Sequence, residues 1–309
     1  MTNITHRILP ILMGAILWGG CEKEIDFDLK SSAGKPVVYA FMQPDSAVTI
    51  SVTKSVSTLT PSNFAPIDNA TIHFYKNGTL HRVLSYNGAQ QWNNYPTLRF
   101  AGGDTVAITL FENEKEIAVA GTYIPHPVQI EKIDTFSETR IGDDGFWAAH
   151  INLGLTIDEP AETNDYYQLQ IIQTTKTQTS SGTTVQTDTL TLPQTDNQIF
   201  NTNQTSVSLT DIDFEGLFTD ANINGKQHRI RLSFNATQFR KPTTAHSRQL
   251  DIRLYRLSEA YYNYYKAQII ATALNGLSIF DPVEIPTNVS NGYGLVTGYA
   301  TSSIIFDIQ

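Results

Sequence analysis

The stretch "ATIHFYKNGTLHRVLSY" (Ala70–Tyr86) decides the fold class. Asn77-Gly78 stands between two runs in which apolar and polar residues alternate. Both residues tolerate positive φ, which a two-residue type I′ turn requires, and that turn has the twist of paired strands. The stretch therefore reads as a β-hairpin with one face turned to a core. Upstream, "PVVYAFM" (Pro36–Met42) and "AVTISVTKS" (Ala47–Ser55) are β-branched runs parted by the turn residues Gln43-Pro44-Asp45-Ser46. Downstream, "PTLRF" (Pro96–Phe100) leads into Gly102-Gly103-Asp104. Two more strands follow around Asn113-Glu114 in "TVAITLFENEKEIAVAGTYIP" (Thr105–Pro125). About seven short strands in roughly ninety residues have the spacing of a sandwich. Residues 36–126 are expected to form an immunoglobulin- or transthyretin-like β-sandwich.

Pro125 and Pro127 interrupt the pattern, and residues 127–309 are expected to form a larger β-rich domain. Tyr167 to Leu192 alternates around Ser181-Gly182 and reads as a long, threonine-rich hairpin, a solvated two-stranded arm. "KQHRIRLSFNATQF" and "RQLDIRLYRLS" read as further strands. One segment departs from this period. Ser258 can cap "EAYYNYYKAQIIATAL", and Asn275-Gly276 can end it, so a helix is expected near 259–274. Tyr261, Tyr265 and Ile269 share one helical face, which packs on the sheets. Tyr262 and Tyr264 point elsewhere and are candidates for a partner or ligand surface, since tyrosine is enriched at interfaces. Asn291, Tyr293 and Tyr299, in the turn-rich "SNGYGLVTGY", join them as candidates.

The N-terminus carries an address. The apolar run Ile8–Trp18 would reach ~16 Å as a helix, against a hydrocarbon core of ~30 Å, so it is too short to span a bilayer. His6 and Arg7 precede it, and Gly19-Gly20 follow directly before Cys21, the single cysteine. This is the layout of a secretory signal with a small-residue cleavage site. The cysteine at the cut resembles a bacterial lipobox, although Trp18 stands where leucine is usual. The reading is a signal peptide over 1–20, lipidation (palmitate among the acyl groups) at Cys21, and an acidic tether over 21–35. A cleaved soluble export signal and a buried strand with an incidental cysteine are the alternatives. With Cys21 lipidated, the mature chain has no free thiol and no disulfide, and packing alone must hold the fold. Glu22, Lys23, Glu24, Asp26 and Asp28 read as a solvated tether or as an acidic signal for the cell surface.

Formal net charge is −9 at pH 7, and no run of lysine or arginine exists. Phosphate binding needs a basic stripe, so nucleic acid is excluded as a partner. The chain lacks G-x-S-x-G, H-E-x-x-H and P-loop signatures. His73 and His81 flank the Asn-Gly turn and could face each other, but two histidines without a third ligand make no metal site. Asp143-Asp144-Gly145 lacks the oxygen spacing of a calcium loop. "GYGLVTG" (Gly292–Gly298) lacks the Rossmann context and reads as a turn and strand at a sandwich edge. No catalytic residue, metal or cofactor is expected.

Several segments, taken in order, resemble one family. They are the Cys-Glu-Lys-Glu-Ile-Asp start, the Pro-Asp-Ser turn at 44–46, "DNATIHFYKNG", "TYIPHPVQI" (122–130) and "NDYYQLQI" (164–171). "FTDANINGK" (218–226), "LSEAYYNYYKAQ" (257–268) and "PVEIPTNVSNGYGLVTGY" (282–299) complete the series. Together they resemble the domain-of-unknown-function 4249 family over nearly the whole mature chain. The resemblance implies a Gram-negative outer-membrane lipoprotein, often encoded beside a TonB-dependent receptor, and brings no catalytic residues. The expected function is a non-enzymatic accessory, lipid-anchored and at the cell surface, that captures ligand for a TonB-dependent receptor or docks on it. A structural or adhesive surface module, or a hydrolase with an unrecognised site, is the alternative.

Overall fold

The structure, a computed structural model, describes residues 34–56, 65–67, 69–88, 92–141, 145–161, 163–193, 199–200, 212–239, 245–274 and 283–307. The leader, Cys21, most of the tether, Asp143-Asp144 and Asn275-Gly276 lie outside these residues. The protein is mainly β, with one α-helix among the described residues. No helix among them is long and apolar enough to cross a membrane.

The first eight strands are β1 (Pro36–Met42), β2 (Val48–Lys54), β3 (Ala65–Pro66), β4 (Ala70–Lys76), β5 (Thr79–Ser85), β6 (Asn93–Tyr95), β7 (Thr105–Glu112) and β8 (Lys115–Tyr123). The Asn-Gly turn forms as its chemistry dictates, with φ of 50° at Asn77 and 80° at Gly78. Asn113 and Glu114 make a second turn of this kind, with φ of 49° and 65°. Strands β5, β4, β7 and β8 form one sheet with the later segment Val289–Ser290. Its buried side chains, among them Ile72, Phe74, Ile108 and Leu110, meet Val38, Ala40, Met42, Ile50 and Val52 of β1 and β2 in one core. The expected N-terminal sandwich is therefore present. His73 and His81 do not face each other. His73 lies opposite Val83 and its ring is tilted against Phe111 at 4.4 Å, while His81 lies 5.7 Å from buried Phe100.

The chain continues through β9 (Ile130–Ile141), β10 (Trp147–Asp158), β11 (Tyr166–Thr179), β12 (Gly182–Thr189), β13 (Leu217–Thr219), β14 (Gln227–Asn235) and β15 (Ala245–Leu257). Helix α1 (Glu259–Leu274) and strands β16 (Val289–Ser290) and β17 (Tyr293–Asp307) follow. A three-stranded sheet, β14-β10-β9, packs Leu153, Leu155, Ile230 and Leu232 against Tyr167, Leu169, Ile252 and Leu254 of β11 and β15. This is a second core.

One nine-stranded sheet contributes to both cores, in the order β12-β11-β15-β17-β1-β2-β3 with β13 and β6 at its margins. Its hinge piece is β17. Tyr293 to Gly298 run parallel to β1, and Tyr299 to Asp307 run antiparallel to β15. The expectation of an edge strand at Gly292–Gly298 is corrected: residues 294–298 are buried in mid-sheet. Gly294, at φ 108°, lies where a Cβ would stand 2.0 Å from the Val38 carbonyl oxygen. The division at residue 126 falls between β8 and β9, yet β16 pairs with β8 and β17 with β1, so residues 289–298 complete the first sandwich.

Helix α1 covers the outer face of the shared sheet. Ser258 caps it, its hydroxyl accepting from the Tyr261 amide at 3.4 Å, and Glu259 sits in the first turn, where the helix dipole favours an anion. Tyr261 packs edge-to-face on Phe41 and Tyr299 at 5.8 and 5.7 Å, and Tyr262 packs on Tyr166 at 4.9 Å. The helix thus touches β1, β17 and β11 together and bridges both halves of the sheet.

Candidate functional site

Three chain segments meet at the first turn of α1: the end of β8 with Pro125, the loop Thr163–Tyr166 entering β11, and Arg256–Ala260 leaving β15. They enclose a cleft of about 500 Å³ at the junction of the two sandwiches. Tyr123 on its wall is 44% exposed. A smaller hollow of about 250 Å³ lies beside the same helical turn, lined by Asn263, Thr287 and Asn288 among others. Junctions of this kind are common ligand sites because two bodies make a concavity that neither makes alone.

The floor of the cleft is charged and buried. Arg256 donates to both carboxylate oxygens of Asp165 at 2.6 Å, and the two side chains are 7% and 9% exposed. Behind them Glu159, Asp165 and Asp220 bring carboxylate oxygens within 4.8 Å of one another. Each acid is held in place. Glu159 accepts from the Gly225 amide at 2.6 Å and the Tyr167 hydroxyl at 3.2 Å. Asp165 accepts from the Thr163 hydroxyl at 2.8 Å, and Asp220 from the Asn224 amide at 3.0 Å. Three carboxyls against one guanidinium is an excess of negative charge in a place with little water. Burial pushes Glu159 up to about 7, and its hydrogen bond to Asp165 and the charge there add to the rise. Burial pushes Asp220 upward as well, with Asp165 adding to the rise. Glu159 therefore carries a proton below neutral pH and shares it with Asp165. Arg256 already takes both Asp165 oxygens, so a hard cation would find only two acids with capacity to spare, fewer than a dedicated site supplies. The arrangement works as a hydrogen-bonded lock joining the end of β10, the start of β11, β15 and the loop after β13.

The five surface candidates do not converge here. Tyr262 is corrected: at 4% exposure it belongs to the core under α1, with Leu217 and Ile269. It is Tyr261 and Tyr265 that lie only partly buried beside it. The helix rests on the sheet by a wider face than a spacing of four implies. Tyr264 is half-buried, its hydroxyl 3.3 Å from that of Tyr39. The Tyr299 hydroxyl accepts from Gln43 and its ring packs on Tyr261. Asn291 is exposed in a turn at φ 61°, and Tyr293 is exposed with the Lys35 ammonium 5.3 Å above its ring. Tyr299 lies six residue steps along β17 from Tyr293, or ~20 Å.

Sequence reasoning passed over Glu159, Asp165, Asp220, Arg256 and Tyr123. A signal for some of them existed. Asp165 lies in "NDYYQLQI", Asp220, Asn224 and Gly225 in "FTDANINGK", Tyr123 in "TYIPHPVQI", and the capped helix start in "LSEAYYNYYKAQ". Three of the segments that carry the family resemblance thus line one cleft, and the fourth supplies Asp220 behind it.

A family model described as a domain of unknown function, DUF4249, matches residues 22–305. The chain belongs to that family. DUF4249 thus spans both sandwiches and the cleft between them. No curated protein matches the chain. Among solved structures, a two fibronectin type-III domain segment from chicken tenascin is similar at 9% identity. It covers 89% of this chain and 99% of that chain at a TM-score of 0.22.

Proposed function

We propose that the protein is a non-enzymatic binding component, anchored by lipid at Cys21 to a Gram-negative outer membrane; it takes ligand for a TonB-dependent receptor or docks on it. The observation that carries the binding part is the junction cleft. Segments far apart in sequence build it, Arg256 and Asp165 pair on its floor, and Tyr123 and Tyr166 offer aromatic surface above that pair. A paired floor gives a rigid seat rather than a reactive group, which suits capture. The Cys21 leader supports the anchoring part. A tether confined to the plane of a barrel raises effective concentration, so a weak interface suffices.

The test is purification from native outer membranes in mild detergent, with mass spectrometry of proteins and small molecules and acyl labelling of Cys21. Recovery of a barrel receptor with the acylated chain supports the reading. An unmodified thiol at Cys21, or recovery of matrix polymer without a receptor, refutes it. Tyr123→Ala should lower recovery of a small molecule while leaving the acylated chain intact.

A further inference from the structure

Exposed sheet edges invite other strands, and proteins blunt them with charge, proline, bulges or brevity. Most long or open edges among the described residues are blunted. Strand β3 has two residues, one of them Pro66, and β16 has two. Strand β5 carries His81 and Arg82 beside a register shift. Strand β9 carries Glu131, Lys132, Asp134, Glu138 and Arg140, with a register shift in its pairing to β10. Strand β14 carries His228, Arg229 and Arg231.

Strand β12 lacks these devices. It ends the nine-stranded sheet, runs eight residues as "GTTVQTDT", and is exposed at every one. Its ladder to β11 runs from Ile172↔Thr189 to Thr179↔Gly182 without a shift. It holds no lysine, arginine or proline, and its single charge is Asp188. In a chain of net charge −9, this is the long edge where a second copy meets least repulsion.

We propose that β12 is a self-association edge, on which two copies of the chain pair their β12 strands antiparallel about a two-fold axis with Gln186 opposite its counterpart. The strand's own sequence fits that register. Residues opposite one another then sum to 372 in number. Gln186 meets Gln186, and two amides can exchange hydrogen bonds. Thr184 meets Asp188, so a hydroxyl donates to a carboxylate, twice by symmetry. On the other face Val185 meets Thr187, and Thr183 meets Thr189. Such threonine and β-branched pairs are favourable across strands, and the two aspartates stay apart. The contact is isologous, as a closed dimer requires, and continues the nine-stranded sheet into the second copy. A single edge buries less area than a permanent dimer does, so the association is concentration-dependent.

The test uses the full chain with Cys21→Ser, which removes both the lipid and the native thiol. Sedimentation velocity from 1 to 200 µM should show a monomer passing to a dimer. Val185→Lys with Thr187→Lys should hold the chain monomeric across that range at unchanged circular dichroism and melting temperature. Both side chains are exposed, so the fold tolerates them. Opposed strand residues lie within reach of a disulfide. Gln186→Cys should therefore give an oxidised dimer in high yield, and Thr184→Cys at least five-fold less. A monomer at every concentration, a dimer that survives the two lysines, or equal cross-linking at 184 and 186 overturns the proposal. So does a strand from another protein captured on β12 without self-association.

Discussion

Glu159 makes stability depend on pH in a direction opposite to that of an ordinary paired acid. Its ordinary value is 4.5, and the folded protein raises it to about 7. A raised carboxyl binds its proton more tightly when folded. Its contribution is complete below about 4.5, declines above that, and is gone once pH has risen through about 7. Each unit is worth about 1.4 kcal/mol, so the rise sets a ceiling of about 3 kcal/mol. Screening by water that enters from the cleft reduces this to about 1–2 kcal/mol. In a chain of this size that corresponds to a fall in Tm of roughly 2–6 °C between pH 5.5 and 8.5. Glu159→Gln copies the protonated form: its oxygen accepts from the Gly225 amide and its nitrogen donates to Asp165. The measurement is differential scanning calorimetry of both chains across that range. The variant should lose most of the slope and melt above the wild type at pH 8.5. Equal slopes in the two chains would refute the assignment of the shared proton to Glu159.

Arg256→Ala strands Asp165 in a buried site and should cost about 3–5 kcal/mol by urea denaturation, more than loss of the half-exposed pair Arg253–Asp251. Gly294→Ala places a methyl group against the Val38 carbonyl at positive φ and should destabilise by about 3 kcal/mol. Hydrogen exchange should localise that loss to β1 and β17. Tyr262→Ala should cost about 3–4 kcal/mol through loss of core packing, whereas Tyr293→Ala should stay within about 0.5 kcal/mol. The same denaturation series distinguishes the two.

The elements that local chemistry controls were legible. Asn77-Gly78 has one favourable conformation, and the hairpin follows from it. Ser258 and the four-residue spacing of Tyr261, Tyr265 and Ile269 mark a helix whose bounds are Glu259–Leu274. What stayed hidden depends on distant pairing. The stretch Gly294–Gly298 is apolar enough for mid-sheet but too short to separate from an edge strand. Its partner β1 lies at the other end of the described chain. The acid cluster was hidden for the same reason, because Glu159, Asp165 and Asp220 look like loop acids until β11 and β15 bring Arg256 among them. Tyr262 was misjudged because a helix straddling two halves of a sheet buries more than one stripe.

Strand β17 gives synthesis an order. Gln43, just past β1, bonds Tyr299 from 256 positions away. A ribosome delivers β1 long before its parallel neighbour exists, so the first sandwich waits, with one flank unzipped, while the strands between them are made. Contacts of such separation slow folding. Until β17 arrives, the β1 edge of the nascent chain lacks the parallel neighbour that closes it.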